Sequence, residues 1–232
     1  MPPLDRTLIA GLAPFAGMTP EGLDSVLSTA RSARYEKDSA VFSQGEQARY
    51  FFLLLSGHIR VEQTSSQGDQ VVARYINGGE LFGIAVAMGL PVYPATAVAA
   101  VESVAIAWPN SAWQNLQSLP TFGADAYRTI GSRLSETQTR VMEMSSEQVE
   151  QRIANTLLRL AKQAGRKTEE GIEIDFPISR QEIAEMTGTT LHTVSRTLSS
   201  WENQGLVRSG RQKVTVTDPH GLLLMAENRK RR

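Results

Sequence analysis

The chain has 232 residues, is 41% hydrophobic, and balances 24 Lys and Arg against 24 Asp and Glu. It is long enough to bury a core in one large domain or two small ones. Cysteine is absent, which excludes disulfides, thiolate zinc sites, cysteine-held iron–sulfur clusters and cysteine redox switches.

No stretch approaches the roughly 18 consecutive apolar residues of a membrane span, so the chain is expected to be soluble and cytoplasmic, with no membrane partner. The neutral total hides an asymmetry. Residues 1–150 hold 10 Lys and Arg against 15 Asp and Glu, a net of −5, whereas residues 151–232 hold 14 against 9, a net of +5. A basic C-terminal part is what a partner carrying phosphates would require.

Thr19-Pro20-Glu21 predicts a short helix to Leu27, with Thr19 as N-cap, Pro20 at the first helical position and an acidic first turn. Short apolar or β-branched runs follow at 40–42, 50–55, 58–63, 70–76, 95–101 and 103–108, separated by Gly45, Gly57, Gly68, Gly78-Gly79 and Gly89. Turns recurring at intervals of ~10 residues predict an all-β sandwich or roll. Ser66-Gln67-Gly68-Asp69 fits a hairpin tip.

Beyond Pro109 the glycine rhythm stops. From Thr121 to Ser145 the positions Phe122, Ala126, Ile130, Leu134, Thr137, Val141 and Met144 recur at helical spacing, close to heptads in the later half. The stripe suits a helix that pairs with its own copy through Ile130, Leu134, Thr137, Val141 and Met144; it also fits a helix packed on its own β-domain. A second helix is expected over 151–164, then a polar connector over 165–171 and a short strand over 172–176.

Ser179-Arg180-Gln181-Glu182 is a capping box that opens a helix, and Gly188 is placed to end it in the left-handed conformation that a tight interhelical turn needs. Thr189 or Thr190 caps the next helix. Ile183 and Ala184 of the first helix with Val194 and Leu198 of the second are the expected buried set, leaving Leu191, His192, Ser195 and Arg196 facing outward. Val207-Arg208 and Lys213 to Thr217 read as a two-stranded wing around Ser209-Gly210-Arg211, which makes the unit a winged helix-turn-helix. An ordinary helical hairpin shares the apolar spacing, but not the basic setting or the wing. Arg229-Lys230-Arg231-Arg232 reads as a basic tail that adds non-specific phosphate attraction.

With these residues in place the chain resembles the CRP/FNR family of bacterial regulators over essentially its whole length. The β-roll glycines, the long helix, Ile178-Ser179-Arg180-Gln181-Glu182-Ile183-Ala184 and Thr193-Val194-Ser195-Arg196 carry the resemblance. Within the family, 188–202 is similar to the NnrR-type branch, regulators of nitrogen-oxide metabolism. The fold implied is α+β: a cyclic-nucleotide-binding-like β-roll sensor over 1–120, a dimerisation helix over 121–145 and a winged helix-turn-helix DNA-binding domain over 146–232.

The resemblance implies a homodimer on palindromic double-stranded DNA of the TTG…CAA type, with RNA polymerase as a further partner. It implies that Arg196 reads a guanine, a pairing that suits a guanidinium facing O6 and N7, and that Ser195 contacts a neighbouring base or phosphate. His192 stands where many relatives carry a glutamate; a neutral imidazole offers one donor and one acceptor, so the base preferred there is left open. Arg180, Gln181, Arg208, Arg211 and Lys213 are expected on phosphates, with Thr189 and Thr190 in support.

Relatives that bind cyclic AMP place a glutamate after a Phe/Ile-Gly pair and an arginine about ten residues later. Here Ile84 follows Phe82-Gly83, and no Lys or Arg occurs between Arg74 and Arg128, so cyclic AMP is not the expected ligand. The branch resemblance suggests a nitric oxide response, with haem as the sensing group it leaves open. His58 is the histidine of the sensor half and so the candidate ligand, though its place after Gly57 at a strand start better suits a structural or surface role. No metal site is assigned, and no nucleophile elbow, phosphate loop or metal spacing points to an enzyme. Two alternatives stay open: a constitutive DNA-binding regulator without a direct effector, and a β-roll that serves ligand binding or protein contacts.

Overall fold

The structure, a computed structural model, describes residues 4–68 and 70–227. Asp69 of the expected hairpin tip and the basic tail 229–232 lie outside the described residues. The described chain forms two compact units, one of residues 4–68 with 74–136 and the other of residues 70–73 with 137–227. No helix among the described residues is long and apolar enough to cross a membrane.

The first unit opens with α1 (Pro20–Leu27), capped as expected by Thr19, whose hydroxyl accepts from the Gly22 amide at 3.2 Å. The strands β1 (Arg31–Tyr35), β2 (Ala40–Phe42), β3 (Tyr50–Ser56), β4 (Ile59–Thr64), β5 (Gln70–Ile76), β6 (Leu81–Phe82), β7 (Thr96–Ala99) and β8 (Ser103–Pro109) follow. They make two four-stranded sheets, ordered β1-β8-β3-β6 and β2-β7-β4-β5. Then come α2 (Trp113–Gln117) and the long α3 (Pro120–Ser146).

The unbroken apolar run of β3 is explained by burial on both faces. Phe51 and Leu53 point into a cluster with Phe15, Val26, Trp108, Trp113 and Phe122, which the helices cover. Phe52 and Leu54 point the other way, into a core with Phe42, Ile59, Ile76, Phe82 and Tyr93. β8 matches this alternation by pairing Phe51 with Trp108 and Leu53 with Ile106, but Phe52 with Ala107 and Leu54 with Ala105. Small side chains thus face the second sheet and large ones the helices. Trp108 is fully buried and its indole donates to Val26 O at 2.9 Å, so the bulkiest residue of β8 also locks α1 in place.

The apolar stripe of α3 divides at Ile130. Phe122 and Ala126 are buried in the first cluster and Ile130 packs partly against it, whereas Leu134 and Val141 are 60% and 61% exposed, and Thr137 and Met144 are also exposed. The reading of a helix packed on its own β-domain thus applies to the first stretch, and the later stretch is left uncovered in the single chain. Tyr127, 65% exposed, lies one heptad before Leu134 and extends the uncovered stripe.

The second unit continues with α4 (Val149–Ala164), β9 (Gly165–Thr168), β10 (Gly171–Ile174), α5 (Arg180–Thr187), α6 (Leu191–Asn203), β11 (Val207–Gly210), β12 (Lys213–Val216) and α7 (Pro219–Ala226). Its sheet runs β11-β12-β10-β9. The polar connector expected over 165–171 is instead β9 and its turn. An edge strand whose stability comes from backbone pairing and from cross-strand ion pairs, here Arg166 with Glu173 at 2.7 Å, leaves no apolar alternation to read. The wing turn falls at Arg211-Gln212, one residue beyond the expected centre, because Gly210 still pairs with Lys213.

Gly57, at φ +89 between β3 and β4, provides a test of the roll. A Cβ there would lie 2.6 Å from the Glu102 carbonyl oxygen, a backbone atom that cannot swing away. Gly57→Ala is expected to cost about 2 to 5 kcal/mol, from a strained backbone together with overpacking, read as a large fall in the thermal midpoint; an unchanged midpoint would contradict this packing.

Candidate nucleic-acid interface and sensor cavity

The capping box foreseen at α5 is present in both directions: the Glu182 amide donates to Ser179 Oγ at 3.1 Å and the Ser179 amide to Glu182 Oε2 at 2.6 Å. At the other end Gly188 adopts φ +59, and the amide of Thr189 donates to Ala184 O at 3.0 Å. Thr190, not Thr189, caps α6, its hydroxyl accepting from the Thr193 amide at 3.2 Å. Ile183, Ala184, Val194 and Leu198 are all buried, with Trp201 added beneath.

Two arginines that the sequence reading did not single out complete the C-terminus of α5. Arg140 of α3 donates to Met186 O at 2.7 Å and also to the carbonyls of Val72 and Ala73; Arg152 of α4 donates to Thr187 O at 2.9 Å. The last carbonyls of a helix lack intrahelical partners and carry partial negative charge, so guanidinium donors there satisfy both needs. Arg180 donates to Ser209 Oγ at 2.8 Å, and Glu202 accepts from the Ser209 amide and hydroxyl at 2.6 and 2.8 Å. Ser209 thereby joins α5, α6 and the wing in one hydrogen-bonded knot.

What remains uncovered is one face of α6. His192 and Arg196, one turn apart, are exposed, and Ser195 is half-buried beside them. Among the described residues neither His192 nor Arg196 has a side-chain hydrogen bond or ion pair, whereas Thr190 and Thr193 at the start of the helix bond to each other at 3.0 Å. In the wing, Arg208 pairs with Glu170 and Lys213 with Glu173 at 3.2 Å, whose carboxyl is held below its ordinary range by hydrogen bonds from Lys213 and Arg166. Arg211 is exposed at the wing tip. Gln181 is exposed and donates to Glu185 at 3.0 Å.

The first unit holds a second feature. A cavity of about 80 Å³ lies between Phe42, Ile76, Phe82, Ile84, Tyr93 and neighbouring small residues, with Arg74 of β5 and Arg133 of α3 in its lining. Ile84 is buried there, 1% exposed, at the position where a ribose-binding glutamate would be needed. The charge-free stretch between Arg74 and Arg128 left this region without an expected counter-charge, and the correction is topological: the strand before that stretch and the helix after it each bring one arginine to the cavity. Arg133 donates to Leu81 O; burial, then the nearby Arg74, pushes its guanidinium down to about 10. Arg74 is ion-paired with Glu136.

Two family models match. The description "Cyclic nucleotide-binding domain" fits residues 32–118, and "Crp-like helix-turn-helix domain" fits residues 151–225. The chain is a CRP/FNR-type DNA-binding transcription regulator. A cyclic AMP receptor protein of Thermus thermophilus is 29% identical over 205 residues, covering 88% of this chain and 92% of the relative. The transcriptional activator protein FnrA of Stutzerimonas stutzeri is 24% identical over 207 residues, 89% of this chain and 84% of the relative. Among solved structures, FixK2 from Bradyrhizobium japonicum superposes with a TM-score of 0.73 at 21% identity over 84% of this chain and 96% of that one. These relatives are regulators rather than enzymes.

For the regulator, the structure brings His192, Ser195 and Arg196 to one face of α6 and places Arg180 and Thr190 in holding that helix rather than leaving them wholly free. Arg208 would meet DNA only by exchanging its exposed ion pair with Glu170, which costs little because such pairs are worth about 0–1 kcal/mol, whereas Lys213 is paired with the largely covered Glu173. His58 is half-buried, its Nδ1 3.0 Å from Asn77 Oδ1, and it is not among the residues that line the cavity.

Arg196→Ala is expected to remove discrimination between a palindrome and a scrambled duplex without shifting the thermal midpoint. Arg211→Ala is expected to weaken both duplexes alike and lower the slope of log K against log salt by about 1 per half-site. Fluorescence anisotropy over a salt series reads both; retained discrimination in the Arg196 variant would reject α6 as the reading helix.

Proposed function

We propose that the regulator binds a TTG…CAA-type palindrome as a homodimer, controls nitrogen-oxide or anaerobic genes together with RNA polymerase, and changes its DNA affinity when an effector occupies the β-roll. The observation that carries the DNA reading is the exposed, uncompensated Arg196 beside His192 and Ser195 on the first turns of α6. A guanidinium left without a protein partner at the outward face of a reading helix is suited to guanine O6 and N7.

Dimerisation is supported by the uncovered stripe of Tyr127, Leu134, Thr137, Val141 and Met144 on the 27-residue α3, an apolar seam at heptad spacing that pairing with a second copy would remove from water. The target class is supported by the similarity of 188–202 to the NnrR-type branch. Haem does not fit the cavity: at about 80 Å³ it is far below the ~300 Å³ at which cofactor-sized sites begin, and His58 is engaged with Asn77 outside it. The response to nitrogen oxides is therefore proposed at the level of the genes controlled, not through haem held at His58.

Leu134→Asp with Val141→Asp is expected to halve the mass seen by analytical ultracentrifugation at micromolar protein and to abolish binding to the palindrome while a half-site is still retained weakly. A variant that stays dimeric, or a wild type that is monomeric, would contradict this reading of α3.

A further inference from the structure

Two arginines mark the inward side of α3, each within its own unit. Arg133 donates to Leu81 O, and Arg140, seven residues on, donates to Met186 O at 2.7 Å. Glu143, buried and paired with Arg159 at 3.1 Å, lies on the same side. A helix turns about 100° per residue, so Gly131 and Gln138, each two residues before one of these arginines, stand almost opposite them. Leu134 and Val141, each one residue after, stand about 100° round. Thr137 and Met144 lean inward by comparison. They lie about 60° and 40° from Arg140, and a Cβ on Gly188 would come 2.9 Å from Met144 Cε.

The uncovered side therefore carries Tyr127, Gly131, Leu134, Gln138, Val141 and Ser145, at steps of four, three, four, three and four. All six are exposed, and the alternation is the heptad of a two-stranded seam. Tyr127, Leu134 and Val141 make its apolar row; Gly131, Gln138 and Ser145 make the other.

We infer that α3 pairs with its own copy in parallel and in register along this stripe, and that Gln138 sets the register by hydrogen-bonding the partner's Gln138. The inference deepens the homodimer reading and rests on it. Charge favours a second copy as the occupant. The stripe contains no Asp, Glu, Lys, Arg or His, so symmetric pairing brings no like charges together, whereas a strongly basic or acidic partner would find no counter-charge here.

Gln138 selects the sense of pairing. A side-chain amide carries both donors and an acceptor, so two copies satisfy each other across a two-fold axis. Antiparallel pairing centred on the stripe would instead set Gln138 against the partner's Leu134 and leave the amide covered without a hydrogen bond, which is costly. A single polar residue in such a row fixes register and oligomeric state in paired helices, at some cost in affinity. Gly131 fits the same arrangement. Apart from its neighbours in the helix, nothing lies within 4 Å of a Cβ placed there, and glycine weakens a helix interior, so packing within one chain does not call for it. On the seam, between Tyr127 and Leu134, it leaves room for the ring of the partner's Tyr127. The parallel sense also lets both DNA-binding units follow the same end of the pair, as two half-sites on one duplex require.

Because the chain contains no cysteine, one introduced thiol reports on one position. Full-length Gln138→Cys and Ser145→Cys, on the seam, and Thr139→Cys, one residue round the helix from it, are treated with oxidised glutathione, which takes up the two electrons as the disulfide forms. Covalent dimer is followed on non-reducing gels, and ultracentrifugation before oxidation gives the oligomeric state. Both seam variants are expected to cross-link at least about tenfold faster than Thr139→Cys, because the seam brings the copies within the roughly 4.4–6.8 Å between Cα atoms that a disulfide spans. Ser145→Cys keeps the comparison available if Gln138→Cys fails to fold. Gln138→Leu is expected to associate at least as tightly as the wild type but to populate species larger than a dimer. Equal cross-linking at the seam and at Thr139→Cys in a protein that is dimeric, or a Gln138→Leu variant that forms dimers alone, would overturn the inference. A wild type that is monomeric at micromolar concentration would instead overturn the homodimer reading beneath it.

Discussion

The geometry of the reading helix depends on how α5 ends. Gly188 at φ +59 lets the chain turn sharply, and the guanidinium groups of Arg140 and Arg152 occupy the carbonyls of Met186 and Thr187 that the turn leaves without intrahelical partners. Without these donors, polar groups at a packed helix end would be left unsatisfied, at about 1–3 kcal/mol each. The turn sets the direction of α6, and the direction of α6 decides which residues are covered. Val194, Leu198 and Trp201 go inward, so His192 and Arg196 must go outward. The Arg180–Ser209–Glu202 knot then ties the wing to the same two helices, so that the outward face of α6 and the basic residues of the wing are held in one hydrogen-bonded arrangement.

The β-roll is organised by a comparable constraint. β3 is covered on both faces, and β8 answers it with Trp108 and Ile106 on one side and Ala105 and Ala107 on the other. The asymmetry in side-chain size draws the second sheet close to Phe52 and Leu54. Aromatic residues from β2, β6 and the segment before β7 then meet around a small space rather than filling it. The cavity is thus a product of the core packing.

Much of this was legible in the sequence because the signals were local. The Thr19 cap, the Ser179–Glu182 box, the left-handed Gly188 and the 3.6-residue spacing of Ile183 through Leu198 are each decided within a turn or two of chain, and the structure agrees with all of them. The polar edge strands were not legible. β1 contains Arg31, Ser32 and Arg34, and β9 contains Arg166 and Lys167; both are held by backbone pairing to a neighbour distant or polar enough to leave no apolar period. α7 had a visible start in Asp218-Pro219, but its function in covering α4 depends on chain folded far from it. Arg140, Arg152 and Arg133 escaped for the same reason: an arginine on an otherwise amphipathic helix reads as solvent-facing until the carbonyl that it reaches is known.

The central claim is that Arg196 on α6 reads a guanine in the major groove. Methylation interference tests it most directly, because a methyl group on guanine N7 occupies the atom that the guanidinium needs and leaves Watson–Crick pairing intact. With the palindromic duplex, the account requires that N7 methylation of the TTG guanine in either half-site depletes that molecule from the bound fraction, and that the depletion vanishes in complexes forced to form at high concentration with the Arg196→Ala variant. Bound wild-type complexes with undiminished methylation at that guanine would contradict it.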